Sequence, residues 1–255
     1  MVADELDMPT GDPGPGRVAS LAAFGRGDLG PAGGKAANLG ELVRSGSPVP
    51  PGFVVTTEAY REFVDANDLR RAVISLVPGP DADPSGFEAA ARAISDLFTA
   101  GVVPEALTAE IAEAYRGLGA GAVAVRSSAT AEDLAGASFA GQQDSYLNIS
   151  GTEAVLDAVR RCWASLWTGR AMAYRTRQGI DPAEVSLAVV VQELVDAESA
   201  GVMFTADPST GRRDTVLISA AWGLGEAVVG GLVNTDQLTL VGPELAVTDR
   251  RIADK

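Results

Sequence analysis

The 255-residue sequence contains no histidine. Without an imidazole, the chain cannot form a Ser/His or Cys/His nucleophile pair, most zinc sites, or a phosphohistidine of its own. A bound metal would have to be held by oxygen ligands, which suits magnesium. Phosphoryl transfer remains open to such a chain, because that chemistry depends mostly on positioning and charge neutralisation.

Cysteines and long apolar runs are also scarce. Cys162 is the single cysteine, so no internal disulfide can form, and this favours a reducing cytoplasmic location. No stretch approaches about eighteen consecutive apolar residues, and the sequence therefore predicts no transmembrane helix. The acidic start (Asp4, Glu5, Asp7) lacks the basic and apolar regions of a secretory signal.

Positive charge is in short supply. Twenty lysines and arginines stand against 34 acidic residues, which gives a net charge of −14. Because a nucleic-acid binder needs a basic surface, this balance argues against a nucleic acid partner. A compact anion needs only a few local cations and is not excluded. The length is sufficient for one large domain or two small lobes with a proper core.

Proline and glycine divide the chain into three parts. Residues 1–17, with "MPTGDPGPG", predict a flexible lead-in. We expect a first lobe over residues 18–190 and a second lobe over residues 191–255. Strand and helix patterns are mixed throughout, so the predicted fold class is α/β in the broad sense that includes α+β.

Several elements can be predicted from periodicity and caps. "GGKAANLGELVRSG" predicts a glycine turn followed by a helix, with Leu39, Leu42 and Val43 on one face. Residues 151–179 predict one long helix. "SLAVVVQELV" predicts a buried strand over residues 186–195, and a later hairpin is expected to turn at Asp207–Gly211.

Lys35 follows two glycines at the predicted start of a helix. Amides at a helix N-terminus favour an anion, glycines allow close approach, and a lysine adds a mobile charge. The spacing does not match a Walker loop, and a solvated surface lysine is the alternative.

Arg126 ends the apolar run of "AVRSSATAEDLAGASFAGQQDSY". A guanidinium fixed there can fork onto phosphate oxygens, and the alternative is a structural ion pair with Glu132 or Asp133. The loop over residues 126–145 can donate backbone amides, including that of Gly141, to a phosphate chain. A plain surface loop is the alternative.

Gln192 and Glu193 lie at the end of the predicted buried strand. Backbone groups there can meet an adenine edge, with apolar side chains such as Val195 against the ring. A core strand that reaches the surface is the alternative. Asp207 and Glu226 are possible magnesium ligands or partners of such ligands, although turn chemistry explains Asp207 equally well.

Four segments, in order, resemble the ATP-binding domain of the phosphoenolpyruvate synthase and pyruvate phosphate dikinase family, which includes rifampicin phosphotransferase. They are "GGKAANLGELVRSGSPVPPGFVVTTEAY", "AVRSSATAEDLAGASFAGQQDSYLN", "VVVQELVDAESAGVMFTADPSTG" and "SAAWGLGEAVVGGLVNTD". Together they span roughly residues 29–236, and the second segment is the most specific.

The resemblance implies an ATP-grasp-like fold of two lobes that holds ATP, with Mg²⁺ as its metal. It implies that Lys35 and Arg126 contact the phosphates, so we assign them the catalytic positions. Gly141 and Ser145 would fall in the closing loop, where the family more often has threonine in place of Ser145. Gln192 matches the adenine side.

The resemblance also implies what lies elsewhere. In the family, the domain continues past the position of Lys255 into a segment that supplies magnesium ligands, so we expect the second lobe to be incomplete. The family passes the β-phosphoryl group to a histidine, and this gives AMP and phosphate. We expect that histidine domain and an acceptor-binding domain on another chain, and little or no turnover by this chain alone.

Two functional hypotheses remain at this point. The chain is the ATP-binding part of a phosphoenolpyruvate synthase-like phosphotransferase, or it is a non-catalytic ATP-binding module for regulation or assembly. A glycine-rich α/β protein without a nucleotide would require all four segments to be accidental. Ala206, where pyruvate phosphate dikinases commonly carry arginine, favours the synthase and rifampicin-phosphotransferase branch.

Overall fold

The computed structural model describes residues 16–129 and 145–254. The chain divides into two compact units, Met1–Leu194 and Val195–Lys255. Helices and antiparallel sheets are both present, which confirms the predicted mixed fold class. The predicted lobe boundary after residue 190 falls inside a strand, Leu187–Glu193, that belongs as a whole to the first unit.

The first unit contains a five-stranded sheet and the helices packed on it. Its strands are β1 (Val18–Ser20), β2 (Gly52–Val55), β3 (Val123–Ala129), β4 (Ser145–Ile149) and β5 (Leu187–Glu193). Its helices are α1 (Leu29–Arg44), α2 (Thr57–Ala66), α3 (Leu69–Leu76), α4 (Pro84–Ala100), α5 (Glu105–Gly117), α6 (Thr152–Ser165) and α7 (Gly169–Arg177).

The strand β5 is the centre of this sheet. The strand order is β1-β2-β5-β3-β4, and every neighbouring pair is antiparallel. The side chains of Val189, Val190 and Val191 are fully buried, because both faces of the strand are covered. This explains why the strand appears in the sequence as an unbroken apolar run.

One face of the sheet carries the main hydrophobic core. The odd-numbered residues of β5 from Leu187 to Val191 pack there with the helices α2 and α4–α6. The ring centroids of Phe63 and Trp163 are 4.8 Å apart, and Phe98 lies 5.7 Å from Phe63. Burial of these large rings contributes to the stability of the unit, since each ring removes a large apolar area from water.

The opposite face of the sheet carries a smaller core beneath α1. Ala32 and Ala36 of this helix pack with Val54, Ala188 and Val190. The predicted apolar face of the helix is wrong in part, because Leu42 is 46% exposed. Leu39 packs at the margin of this core, and the small side chains of Ala32 and Ala36 make the central contact because they allow the helix backbone to approach the sheet closely.

The single helix predicted over residues 151–179 is two helices in the structure. The helix α6 ends at Ser165, and α7 begins at Gly169. The Thr168 side chain accepts a hydrogen bond from the Ala171 amide and so caps a new helix. The apolar period continues through the break, which is why periodicity alone merged the two helices.

Arg17 fastens the start of the described chain to two helices. Its Nη1 donates to both carboxylate oxygens of Glu62 in α2 at 2.8 Å, and its Nε and Nη2 donate to Glu110 in α5. The last residue of the predicted lead-in is therefore ordered by ion pairs. Residues 1–15 lie outside the described part of the chain.

The second unit is a four-stranded antiparallel meander with one short helix. Its elements are β6 (Ser199–Phe204), β7 (Thr215–Trp222), α8 (Gly225–Val229), β8 (Asp236–Val241) and β9 (Ala246–Arg251), with the strands in chain order. The predicted hairpin turn at Asp207–Gly211 lies between β6 and β7, where the Gly211 amide donates to the Asp207 carbonyl at 2.8 Å.

Across residues 16–129 and 145–254, none of the helices combines the length and the apolar character that a bilayer crossing requires.

We expect the two buried tryptophans to respond differently to substitution by phenylalanine. The Trp167 Nε1 donates to the Tyr60 hydroxyl at 3.1 Å, whereas the Trp163 Nε1 has no hydrogen-bond partner among the described residues. Trp163→Ala should cost about 3–5 kcal/mol of unfolding free energy. Trp163→Phe should cost much less, because a phenyl ring still fills most of the site. It should also cost less than Trp167→Phe, because it removes an unpaired donor and breaks no hydrogen bond.

Urea denaturation of the unsubstituted chain and of each variant, followed by circular dichroism, measures these costs. The matched control is Trp167→Phe, which strands the Tyr60 hydroxyl. A Trp163→Phe variant as unstable as Trp167→Phe would show that the unpaired donor carries no penalty.

The Asp207 carboxylate is held by its own turn. It accepts hydrogen bonds from the hydroxyls of Thr210 and Ser209 and from the Ser209 amide, and these bonds lower its pKa to about 2. Thr210→Val removes the largest contribution and should raise the pKa toward that of an ordinary aspartate. Carboxyl chemical shifts followed against pH measure the change, and Thr248→Val in β9 is the control. An unchanged midpoint in Thr210→Val would contradict the assignment.

Candidate functional site

Arg126 projects from the face of the sheet that α1 covers. Side chains alternate along β3, so Val123 and Val125 enter the main core while Arg126 and Ser128 point to the other side. The residue is half-buried. Its cross-strand neighbours are Val190 of β5 and Ser145 of β4. The strand does not end at Arg126, as the apolar run suggested, but continues to Ala129.

Lys35 reaches the same strand from the helix above it. Its Nζ donates to the carbonyl oxygen of Ser127 at 3.0 Å, the residue that follows Arg126. The ammonium group is thus held beside β3 rather than free on the surface, and the interpretation as a solvated lysine is wrong. Two basic side chains therefore lie at β3: Arg126 belongs to the strand, and Lys35 reaches it from α1.

The helix α1 is broken just before Lys35. Gly33 has φ 72° and ψ 167°, a conformation that is open almost only to glycine. The predicted glycine turn is therefore present inside the helix, with a regular helical segment after it. A Cβ atom on Gly33 would lie 2.2 Å from the carbonyl oxygen of Ser128, so the two backbones touch at this point.

The Ser128 side chain completes the junction. Its Oγ accepts from the Ala36 amide at 3.1 Å and donates to the Ala32 carbonyl at 2.8 Å. The serine is fully buried, and the hydroxyl therefore satisfies two backbone groups that have no access to water. Sequence reasoning placed Ser128 in the amide-donating loop and gave its hydroxyl no role, although its position two residues after Arg126 puts both side chains on one face.

Ser145 is the first described residue of β4. It pairs with Arg126 in the register of the two strands and is exposed. Cross-strand partners lie on the same face of a sheet, so the structure brings Ser145 to the side of Arg126. Gly141, Glu132 and Asp133 lie outside the described residues, and the predicted closing loop stays a prediction.

Gln192 lies on the same face, two residues along β5 from Val190. Its side chain is buried, and its Nε2 donates to the Pro50 carbonyl at 2.9 Å. The Glu193 amide donates to Pro51 and the Leu194 amide to Ala122. These two amides are engaged within the sheet, so an adenine edge at this strand end would have to use other backbone groups.

Glu193 and Val195 are not gathered on this face. The Glu193 side chain is exposed and follows the alternation of Val191, so it lies on the side of the main core. Val195 is 54% exposed and is the first residue of the second unit. Their assignment to the nucleotide site stays a prediction.

The described residues do not by themselves form a metal site. Within residues 16–129 and 145–254, no group of three or more histidine, cysteine, aspartate or glutamate side chains could hold a metal ion. The Asp207 carboxylate is used by its turn. Glu226 lies in the first turn of α8. One or two carboxylates together with phosphate oxygens also suffice for magnesium, so the assignment of Asp207 and Glu226 stays a prediction.

Comparison with known proteins gives an independent result. The family model described as "Pyruvate phosphate dikinase, AMP/ATP-binding domain" matches residues 30–255. The chain belongs to this family. The match includes Lys35, Arg126 and both units, and it confirms the family resemblance of the four segments.

The relatives of this AMP/ATP-binding domain are larger proteins. A probable phosphoenolpyruvate synthase of Methanothermobacter thermautotrophicus is 51% identical over 89% of the chain and 34% of its own length. The phosphoenolpyruvate synthase of Aeropyrum pernix is 46% identical over 88% and 28%, and a probable one of Methanocaldococcus jannaschii is 46% identical over 93% and 21%. The chain thus spans between about a fifth and a third of these relatives.

The break in α1 makes Gly33 a sensitive position in this domain. Gly33→Ala should destabilise the chain by more than about 2 kcal/mol, because it combines a strained backbone with a collision against Ser128. Gly30→Ala is the matched control, since a Cβ atom there meets nothing within 4 Å. Chemical denaturation of both variants measures the difference, and equal stabilities would contradict the described junction.

Proposed function

We propose that this chain is the ATP-binding part of a phosphoenolpyruvate synthase-like phosphotransferase. The observation that carries the proposal is that Lys35 of α1 reaches the strand that contains Arg126, on the face of the sheet covered by α1. The family match and the names of the relatives support the same assignment.

The two cations have complementary chemistry. The guanidinium of Arg126 is planar and can hold two phosphate oxygens in a fork, whereas the ammonium of Lys35 is a compact point charge. Together they would neutralise the charge of the β- and γ-phosphates. Because phosphoryl transfer gains most from positioning and charge stabilisation, these two residues have the features of its catalytic groups.

The chain cannot complete the proposed reaction by covalent relay. It contains no histidine, so a β-phosphoryl group leaving ATP needs an acceptor on another domain. We propose a histidine-bearing domain and an acceptor-binding domain as partners, either in a longer polypeptide or on a separate chain. The buried single cysteine fits the proposed cytoplasmic location.

The proposal includes magnesium only because the family resemblance implies it. ATP in such reactions is used with Mg²⁺, but the described residues do not supply a metal cluster. We therefore assign no step to the metal and no ligand to it. Binding of ATP should be measured both with and without magnesium.

Replacement of Arg126 tests the phosphate site. Arg126→Ala should weaken ATP binding by about 2 kcal/mol, roughly thirtyfold, because a forked, charge-assisted contact with phosphate is lost. Arg126→Lys should recover only part of this loss, since an ammonium cannot form the fork. Isothermal titration calorimetry measures the ATP affinity of the unsubstituted chain and of the two variants.

Arg92→Ala is the matched control, because Arg92 is exposed on α4, a helix that packs on the other face of the sheet. Unchanged ATP affinity in a folded Arg126→Ala protein would reduce Arg126 to a structural role. No heat and no thermal shift at millimolar ATP in the unsubstituted chain would reject the proposed function.

A further inference from the structure

The hydroxyl of Ser128 occupies a position inside the hydrogen-bond ladder of α1. In an uninterrupted helix the Ala36 amide would donate directly to the Ala32 carbonyl, four residues earlier. Here the amide donates to Ser128 Oγ at 3.1 Å, and Ser128 Oγ donates to that carbonyl at 2.8 Å. A side chain from β3 thus separates two groups that would otherwise pair.

Few side chains could make this insertion. The position needs one atom that donates and accepts at once, in a space that is completely buried. A hydroxyl has both functions and is small. An alanine has neither, and would leave the Ala36 amide and the Ala32 carbonyl free to bond to each other.

The insertion determines where the helical segment after Gly33 begins. Gly33 has no side chain and cannot cap that segment. The acceptor for the Ala36 amide is instead the Ser128 hydroxyl, which comes from β3. Lys35 lies between Gly33 and Ala36 in the chain. Its side chain leaves α1 toward the Ser127 carbonyl.

We propose that Ser128 is a positioning residue that sets Lys35 for a polyphosphate ligand. By keeping α1 broken at Gly33, the Ser128 hydroxyl fixes the Lys35 ammonium beside the strand that carries Arg126. This inference rests on the proposed function, because it assigns Lys35 to phosphate. Ser128 itself acts through Lys35 and the backbone.

A double-mutant cycle tests the proposal. Calorimetry on the full chain uses two probes, inorganic tripolyphosphate and adenosine, with Ser128→Ala, Lys35→Ala and the double variant. Ser128→Ala should bind tripolyphosphate roughly tenfold more weakly, as expected for one lost charge-assisted contact, and should bind adenosine as before. The double variant should be no weaker than Lys35→Ala alone, because both substitutions remove the same contact.

Ser165→Ala is the matched control. Its hydroxyl donates to the Cys162 carbonyl at 2.7 Å in α6, on the other face of the sheet, and its loss should leave both affinities unchanged. If Ser128→Ala does not fold, Ser128→Cys replaces it, since a thiol is a weaker donor and acceptor. Ser128→Thr keeps the hydroxyl and should keep tripolyphosphate binding.

Additive losses in the double variant, or full tripolyphosphate affinity in Ser128→Ala, would overturn the proposal. Equal losses for tripolyphosphate and adenosine would also overturn it, because they would indicate general destabilisation. Amide hydrogen exchange without ligand separates this proposal from the proposed function. Ser128→Ala should change protection in residues 34–37 of α1, and unchanged protection would show that Ser128 does not hold the break even if the unsubstituted chain binds no phosphate.

Discussion

A hydroxyl from β3 stands between an amide and a carbonyl of α1, at the point where the strand that carries Arg126 meets the helix that carries Lys35. Gly33 allows the helix to turn there, because its backbone angles are closed to other residues and a Cβ atom would meet Ser128. Arg126 belongs to the same strand two residues earlier. One strand therefore positions one cation directly and the other through a hydrogen bond, which is a more rigid arrangement than two surface side chains could achieve.

The two faces of the five-stranded sheet have different tasks. One face is closed by large aromatic and aliphatic side chains, with Trp163 and Phe98 fully buried, and this core supplies most of the stabilising area. The other face is closed by small residues of α1 together with Leu21 and Phe24, and the polar side chains of Arg126, Ser128 and Gln192 lie on this face. Side-chain alternation along β3 and β5 is what separates the two, because it places Val125 in the core and Arg126 outside it.

Local patterns predicted the elements better than they predicted the contacts. The apolar run of β5 and the glycine turn before Lys35 were found from the sequence because each depends on neighbouring residues. The junction of Gly33 with Ser128 was not, since its partners are more than ninety residues apart in the chain and only the folded sheet brings them together. The break between α6 and α7 was missed because Thr168 caps a helix whose apolar period continues unchanged.

The central place of β5 has a consequence for the order in which the molecule can form. This strand follows α6 and α7 in the sequence, yet it lies between β2 and β3, with Gln192 opposite both Gly52 and Ala124. During synthesis, the pair β1–β2 and the pair β3–β4 cannot join into one sheet until the ribosome has released β5, the strand that lies between them. Such long-range closure slows folding, and until it occurs the unpaired edges of β2 and β3 are exposed to other chains. The meander that follows pairs only successive strands, so each of its hairpins can close without waiting for a distant part of the chain.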